Sequence, residues 1–113
     1  MAVFAIAVPV LPGKSDQLRT FIGHLNEARK SDYLASRKRL GVRERSFIQH
    51  TPDGEIVVVT LEGDDPAGAF ARFAEGKDSF TQWFKEQVLD IHGVDLSQPP
   101  PGPLPKLVID SGA

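Results

Sequence analysis

Apolar residues near the start of the chain follow first a strand-like and then a helix-like spacing. Residues 3–10 are rich in strand-forming side chains, and both faces of the strand that they predict are apolar. The next apolar residues recur at helical spacing: Leu18, Phe21, Ile22, Leu25 and Ala28. Ser31 and Asp32 are typical helix caps, so we expect a kink there and a second helical piece that ends at Gly41. That piece carries Tyr33, Arg37 and Leu40.

The middle of the chain predicts a β-hairpin. Strand-like residues 42–50 and 55–62 flank Thr51-Pro52-Asp53-Gly54, a typical turn sequence in which the glycine is expected to have a positive φ. A three-residue loop would pair Thr51 with Glu55 and place Glu44 opposite Glu62. Opposed carboxylates raise each other's pKa, so this pair is a candidate for general acid–base chemistry. The alternative is that both carboxylates lie in water at the strand ends.

The second half of the chain predicts an interrupted helix and an extended tail. Asp64 or Asp65 caps a helix that Gly76 interrupts, and the helix resumes at residues 78–79 and ends at Gly93. Residues 97–105 hold five prolines and predict stiff, extended chain. Leu107-Val108-Ile109 predicts a short last strand, either beside the first strand of its own sheet or exchanged onto a partner. We therefore divide the chain into a domain at 1–97 and a tail at 98–113.

The predicted order is βαββαβ, which indicates an α+β fold of the ferredoxin-like kind, with a four-stranded antiparallel sheet and both helices on one face. The other face would be apolar, because neither side of the first strand is polar. A second copy of the chain is the simplest cover for it, and we therefore expect a homodimer built sheet to sheet.

This arrangement resembles the dimeric α+β barrel superfamily, which includes antibiotic-biosynthesis-type monooxygenases. The resemblance is carried by the short βαββαβ chain, by the apolar first strand, and by the broken second helix that runs from Asp65-Pro66 through Phe80 to Trp83-Phe84. It implies a dimeric barrel. Many monooxygenase-like members carry a histidine in the first half of the second helix, whereas residues 67–74 contain none. The role of that histidine is therefore not carried over.

Composition and charge narrow the classes of function. The net charge of −2 argues against general nucleic-acid binding. Residues 29–45 carry +5 and residues 53–95 carry −7, which indicates either two solvated surfaces or a basic segment that meets a partner's acidic one. The chain has no cysteine and no apolar run near the ~20 residues that a membrane helix needs. We expect a cytoplasmic protein that binds no membrane.

The remaining candidates for binding chemistry are scattered. Arg43 and Arg45 share one strand face, where two guanidinium groups suit a carboxylate or phosphate, although a partner's acidic helix or solvent is the alternative. The pocket candidates are Tyr33 and Trp83 as aromatic walls and His24 and His92 as imidazoles, each with ordinary packing as the alternative. The histidines lack metal-ligand spacing, so we expect no metal and no cofactor.

Two functions remain open from the sequence. The first is a dimeric protein that binds a small apolar or aromatic molecule between its helices and its sheet. The second, which the resemblance implies, is a cofactor-independent monooxygenase-like enzyme that acts on an aromatic or polyketide-like substrate. An enclosed cavity with two or more convergent polar groups would favour the enzyme.

Overall fold

The computed structural model describes residues 2–100 and 102–112, and their elements confirm the α+β class. The strands are β1 (Ala2–Pro9), β2 (Val42–Thr51) and β3 (Gly54–Gly63). The helices are α1 (Ser15–Asn26), α2 (Lys30–Leu40), α3 (Pro66–Glu75) and α4 (Ser79–His92). Along the chain, the two helical regions that the sequence predicts are each present as a pair of shorter helices.

The helix boundaries follow local capping chemistry. Asp65 accepts a hydrogen bond from the Gly68 N–H at 3.0 Å, and Asp78 accepts one from the Thr81 N–H at 3.1 Å, so α3 and α4 begin where the sequence predicts. The break between α1 and α2 comes earlier than predicted. It lies just before Lys30, where the Arg29 N–H bonds the His24 carbonyl at 2.7 Å, and not at Ser31-Asp32.

The three strands form an antiparallel sheet in the order β1-β3-β2, but the predicted hairpin register is wrong by one residue. Thr51 pairs with Gly54, so the loop has two residues and not three. The Thr51 hydroxyl holds this turn: it donates to the Gly54 carbonyl at 2.7 Å and accepts from the Asp53 N–H at 3.2 Å. Gly54 has a φ of 125°, which confirms the predicted positive value.

The corrected register separates the two glutamates that the sequence had placed together. Glu44 lies opposite Leu61, and Glu62 lies opposite Arg43. Because side chains alternate between the faces of a strand, a slip of one residue sends Glu62 to the face opposite Glu44. The predicted Glu44–Glu62 carboxylate pair therefore does not form.

The predicted fourth strand is not present in the described chain. Leu107, Val108 and Ile109 form no strand and are 57%, 77% and 83% exposed, so the expectation that they pair beside β1 of the same chain is not met. Prolines at positions 99, 100, 103 and 105 lack the N–H that a strand ladder needs, which leaves only a short segment able to pair. Both β1 and β2 are edge strands of the sheet.

The main core lies between the helices and one face of the sheet. It is dominated by aromatic side chains: Phe84 packs edge to face against Phe21 and Phe73, with ring centroids 5.1 and 5.3 Å apart. Ile91 and Leu18 are among its most completely buried members. Burial of these large side chains holds α1, α3 and α4 together above the sheet.

Among the described residues, no helix or further strand covers the opposite face of the sheet, which carries many apolar side chains. Register places Ala5 and Ala7 of β1 beside Thr60 and Val58 of β3, and Phe47 of β2 next to them. Phe47 is 56% exposed. We call this surface the open face; its members are Val3, Ala5, Ala7, Pro9, Phe47, Gln49, Ile56, Val58 and Thr60, with Arg43, Arg45 and Glu62 at one end.

The backbone geometry at Gly54 predicts a specific cost for adding a side chain. Gly54→Ala should lower the free energy of unfolding by about 1 kcal/mol, because a β-carbon is unfavourable at a φ of 125°. Gly23→Ala is the matched control: it lies inside α1 with open space around the new methyl group, and it should raise stability by about 0.5–1 kcal/mol. Urea unfolding followed by circular dichroism measures both. Equal effects of the two variants would contradict the turn geometry.

Candidate functional site

A cavity of about 620 Å³ lies between the inward face of the sheet and the helices. Its walls are mainly apolar, with Ile6, Val8 and Val59 contributed by the sheet and Ile22 and Leu25 by α1. Small-molecule sites typically measure about 300–1,000 Å³ and have walls of this kind. The helices therefore leave a space of ligand size over the sheet instead of closing on it.

One side of the cavity is marked by lining residues that also reach solvent. Asn26 near the end of α1 and Ser46 and Ile48 on β2 line the cavity, yet all three are exposed. Since β2 is an edge strand, no further strand closes this side among the described residues. The mouth of the cavity therefore lies between β2 and the end of α1.

A buried ion pair forms the most polar part of the cavity wall. Arg37 Nε of α2 donates to Glu44 Oε1 of β2 at 2.6 Å, and the two side chains are only 10% and 8% exposed. Arg37 Nη1 also donates to the Ser36 hydroxyl at 3.0 Å. A charge at this depth is stable only when it is paired, so each member of the pair holds the other in place.

Aromatic rings surround the Arg37 guanidinium. Its central carbon lies 4.9 Å from the centre of the Tyr33 ring and 4.8 Å from the centres of both Phe73 and Phe84. The faces of these rings attract a cation. Burial, and secondarily the Glu44 carboxylate, raise the pKa of Tyr33, so its phenol stays protonated and able to donate a hydrogen bond.

The second polar group in the cavity wall is His92, at the end of α4. Its Nδ1 lies 2.7 Å from the carbonyl oxygen of Pro9. A carbonyl only accepts, so Nδ1 carries the proton and Nε2 presents a lone pair when the ring is neutral. Burial lowers the pKa of His92, which favours this neutral form.

The two polar sites lie at opposite ends of the cavity. Glu44 is opposite Leu61 on β3, whereas Pro9, which holds His92, is opposite Ile56. Five residues of strand at about 3.3 Å each separate these positions by about 17 Å. Glu44 and the carbonyl that holds His92 are therefore well separated along the strand direction, and one long ligand can approach both.

The structure brings three of the eight predicted site residues to this cavity: Tyr33, Glu44 and His92. Arg43, Arg45 and Glu62 lie on the other face of the sheet, where Arg45 forms an ion pair with Glu62 at 3.0 Å. The remaining two, His24 and Trp83, lie next to each other and do not line the cavity.

The predicted aromatic wall at Trp83 is instead part of the helix packing. The Trp83 ring lies 5.4 Å from Phe21, and the Arg29 guanidinium lies 4.4 Å above it. His24 is exposed, with its ring 6.1 Å from that of Trp83. Trp83 thus follows the alternative interpretation of ordinary packing, whereas His24 is neither a cavity residue nor a buried packing histidine.

Sequence reasoning missed Arg37 as a site residue, and also Asn26 and Ser46. The signal for Arg37 was present, because Tyr33, Arg37 and Leu40 recur at helical spacing and define the inward side of α2. A charged residue in the middle of such a stripe needs a partner. Ser46 carried a weaker signal: it shares a strand face with Glu44.

No group of three or more metal-binding side chains comes together among residues 2–100 and 102–112. Within the same residues, every helix is too short or too polar to span a bilayer. Comparisons with protein-family models, curated proteins and solved structures find no match to this chain.

The buried ion pair predicts a contrast between two glutamates. Glu44→Gln should lower the free energy of unfolding by about 2–3 kcal/mol, because it leaves the Arg37 charge buried without a countercharge. Glu62→Gln breaks the exposed pair with Arg45 and should cost less than about 1 kcal/mol. Chemical unfolding of both variants measures the difference, and an equal cost would show that the Arg37–Glu44 pair is solvated.

Proposed function

We propose that this protein binds a small, mainly apolar molecule in the cavity between its sheet and its helices. The observation that carries the proposal is the cavity itself, which has apolar walls, an open mouth and a buried, fully paired polar group. A space of this size left in a packed domain gives up contacts that a filled core would make, and a ligand would restore them.

Ligand capture predicts a retained molecule in the purified protein. Native mass spectrometry should show a mass above that of the chain, and the excess should disappear when the protein is unfolded. Ile22→Trp should reduce the retained fraction, because the larger side chain points into the cavity. Thr20→Trp adds the same side chain at an exposed position of α1 and should have no effect.

Two outcomes would contradict this function. The first is a wild-type protein that retains nothing and binds no member of a panel of apolar compounds. The second is equal retention by Ile22→Trp and Thr20→Trp when circular dichroism shows that both are folded, since the cavity would then not be the place of binding.

A cofactor-independent monooxygenase-like enzyme is the second candidate, and a specific observation favours it. Tyr33, Arg37 and Glu44 converge at one end of the cavity, where they supply a phenol, a guanidinium and a carboxylate. In such a reaction with O2, the substrate would gain one oxygen atom and lose two hydrogens, and the second oxygen atom would leave as water. Formation of this product from the retained molecule in air, and its loss in Glu44→Gln, would show that the protein is an enzyme.

We also propose that the protein is a homodimer in which the open faces of two sheets pack together. Its support is the set of apolar side chains that β1 and β3 carry on the open face and the exposure of Phe47 beside them on β2. A two-fold axis would bring the open face of one copy against the open face of the other, so both copies would use the same residues. In this proposal the tail strand 107–109 pairs with the partner, which completes the ferredoxin-like sheet, and the dimer is cytoplasmic.

The dimer predicts a sedimentation mass of twice 12.3 kDa at micromolar concentration. Phe47→Arg should give a monomer, because it replaces a large exposed apolar side chain of the proposed interface with a charge. Leu34→Arg is the control, since Leu34 is similarly exposed but lies on α2. Truncation after Ser97 should weaken the dimer if the tail is exchanged. A monomeric wild-type protein would contradict the proposal.

A further inference from the structure

We infer that the cavity takes an electrically neutral, elongated molecule that donates a hydrogen bond, from a hydroxyl or an N–H group, to Nε2 of His92. This inference rests on the proposed ligand-binding function and specifies the class of ligand. It depends on the charges that face the cavity, on the hydrogen bond that fixes the His92 ring, and on the distance between the two polar sites.

The cavity wall has no unpaired charge to offer an ionic ligand. Among the described residues that line it, the ionisable ones are Tyr33, Arg37, Glu44 and His92. Arg37 and Glu44 neutralise each other across 2.6 Å. The Tyr33 phenol and the His92 imidazole are uncharged at neutral pH because burial disfavours their ionised forms. A carboxylate or an ammonium group in the cavity would lose its hydration without a countercharge.

The hydrogen bond from Nδ1 to the Pro9 carbonyl fixes the His92 ring and leaves Nε2 as its acceptor atom. Pro9, the last residue of β1, supplies the carbonyl that binds Nδ1, and α4 supplies the backbone that carries the ring. No described group bonds Nε2, and no fully enclosed side-chain nitrogen or oxygen in the described chain lacks a partner. Nε2 is therefore not sealed within the protein, and since His92 lines the cavity, its lone pair can accept a hydrogen bond from a ligand there.

The length of the ligand follows from the separation of the polar sites. About 17 Å of strand lies between the level of His92 and that of Glu44. The walls between these levels are mainly apolar, with Val8, Val57 and Val59 on the sheet side, and Ser46 adds one hydroxyl there. A flexible alkyl chain or an extended ring system fills such a space, while its hydroxyl or N–H reaches His92.

The experiment compares three probes of equal chain length by isothermal titration calorimetry on the full chain at neutral pH. Decanol is neutral and can donate, its isomer methyl nonyl ether is neutral and can only accept, and decanoate is an anion. We expect decanol to bind about threefold to tenfold more tightly than the ether, the contribution of one hydrogen bond. Decanoate should bind more weakly than either neutral probe.

His92→Asn tests the acceptor directly. The asparagine amide can still donate to the Pro9 carbonyl in place of Nδ1 but has no counterpart of Nε2. In this variant decanol and the ether should bind equally. In the wild-type protein, the nitrogen chemical shifts of labelled histidine should show the Nδ1–H tautomer, and decanol but not the ether should shift Nε2.

The outcomes separate a failure of the proposed hydrogen bond to His92 from a failure of ligand binding itself. If none of the three probes binds, the proposed ligand-binding function fails. If the probes bind but decanoate is tightest, or decanol and the ether are equal in the wild-type protein, the inference is overturned while ligand binding stands. A preference for decanol that persists in a folded His92→Asn variant would also overturn it, because the donor would then bind elsewhere.

Discussion

The register of the β2–β3 hairpin is the constraint on which the rest of the structure depends. Because Thr51 pairs with Gly54, Glu44 points into the cavity and Glu62 points away from it. A slip of one residue would reverse every side chain of one strand relative to the other. The polar end of the cavity and the apolar open face are therefore two consequences of the same short turn.

Because Glu44 faces inward, its buried carboxylate needs a positively charged partner, and Arg37 is that partner. The pair joins α2 to β2 across the space that the cavity occupies, so it acts both as a structural tie and as a polar group in the cavity wall. The rings of Phe73 and Phe84 extend this contact to α3 and α4. A change of charge at Arg37 or Glu44 would thus alter the packing of three helices as well as the surroundings of a bound molecule.

The two faces of the sheet suit two separate tasks. The inward face carries the cavity, in which all charges are compensated, whereas the opposite face carries an apolar patch with charges only at one end. Adjacent residues of β3 lie on different faces, so substitutions at Val58 and Val59 would test the proposed assembly and the proposed binding independently. This separation makes the two proposed properties distinguishable by experiment.

The sequence by itself determined the class of the fold, the strands and helices of the first 93 residues and most of their caps, because these depend on local spacing and on single capping residues such as Asp65 and Asp78. It also indicated Tyr33, Glu44 and His92 as site residues. Only the tertiary structure decided the hairpin register, in which Thr51 pairs with Gly54, and the partner of Glu44, which lies on another element. Local pattern also could not decide whether Leu107-Val108-Ile109 forms a strand, since a strand exists only where another backbone is available to pair with it.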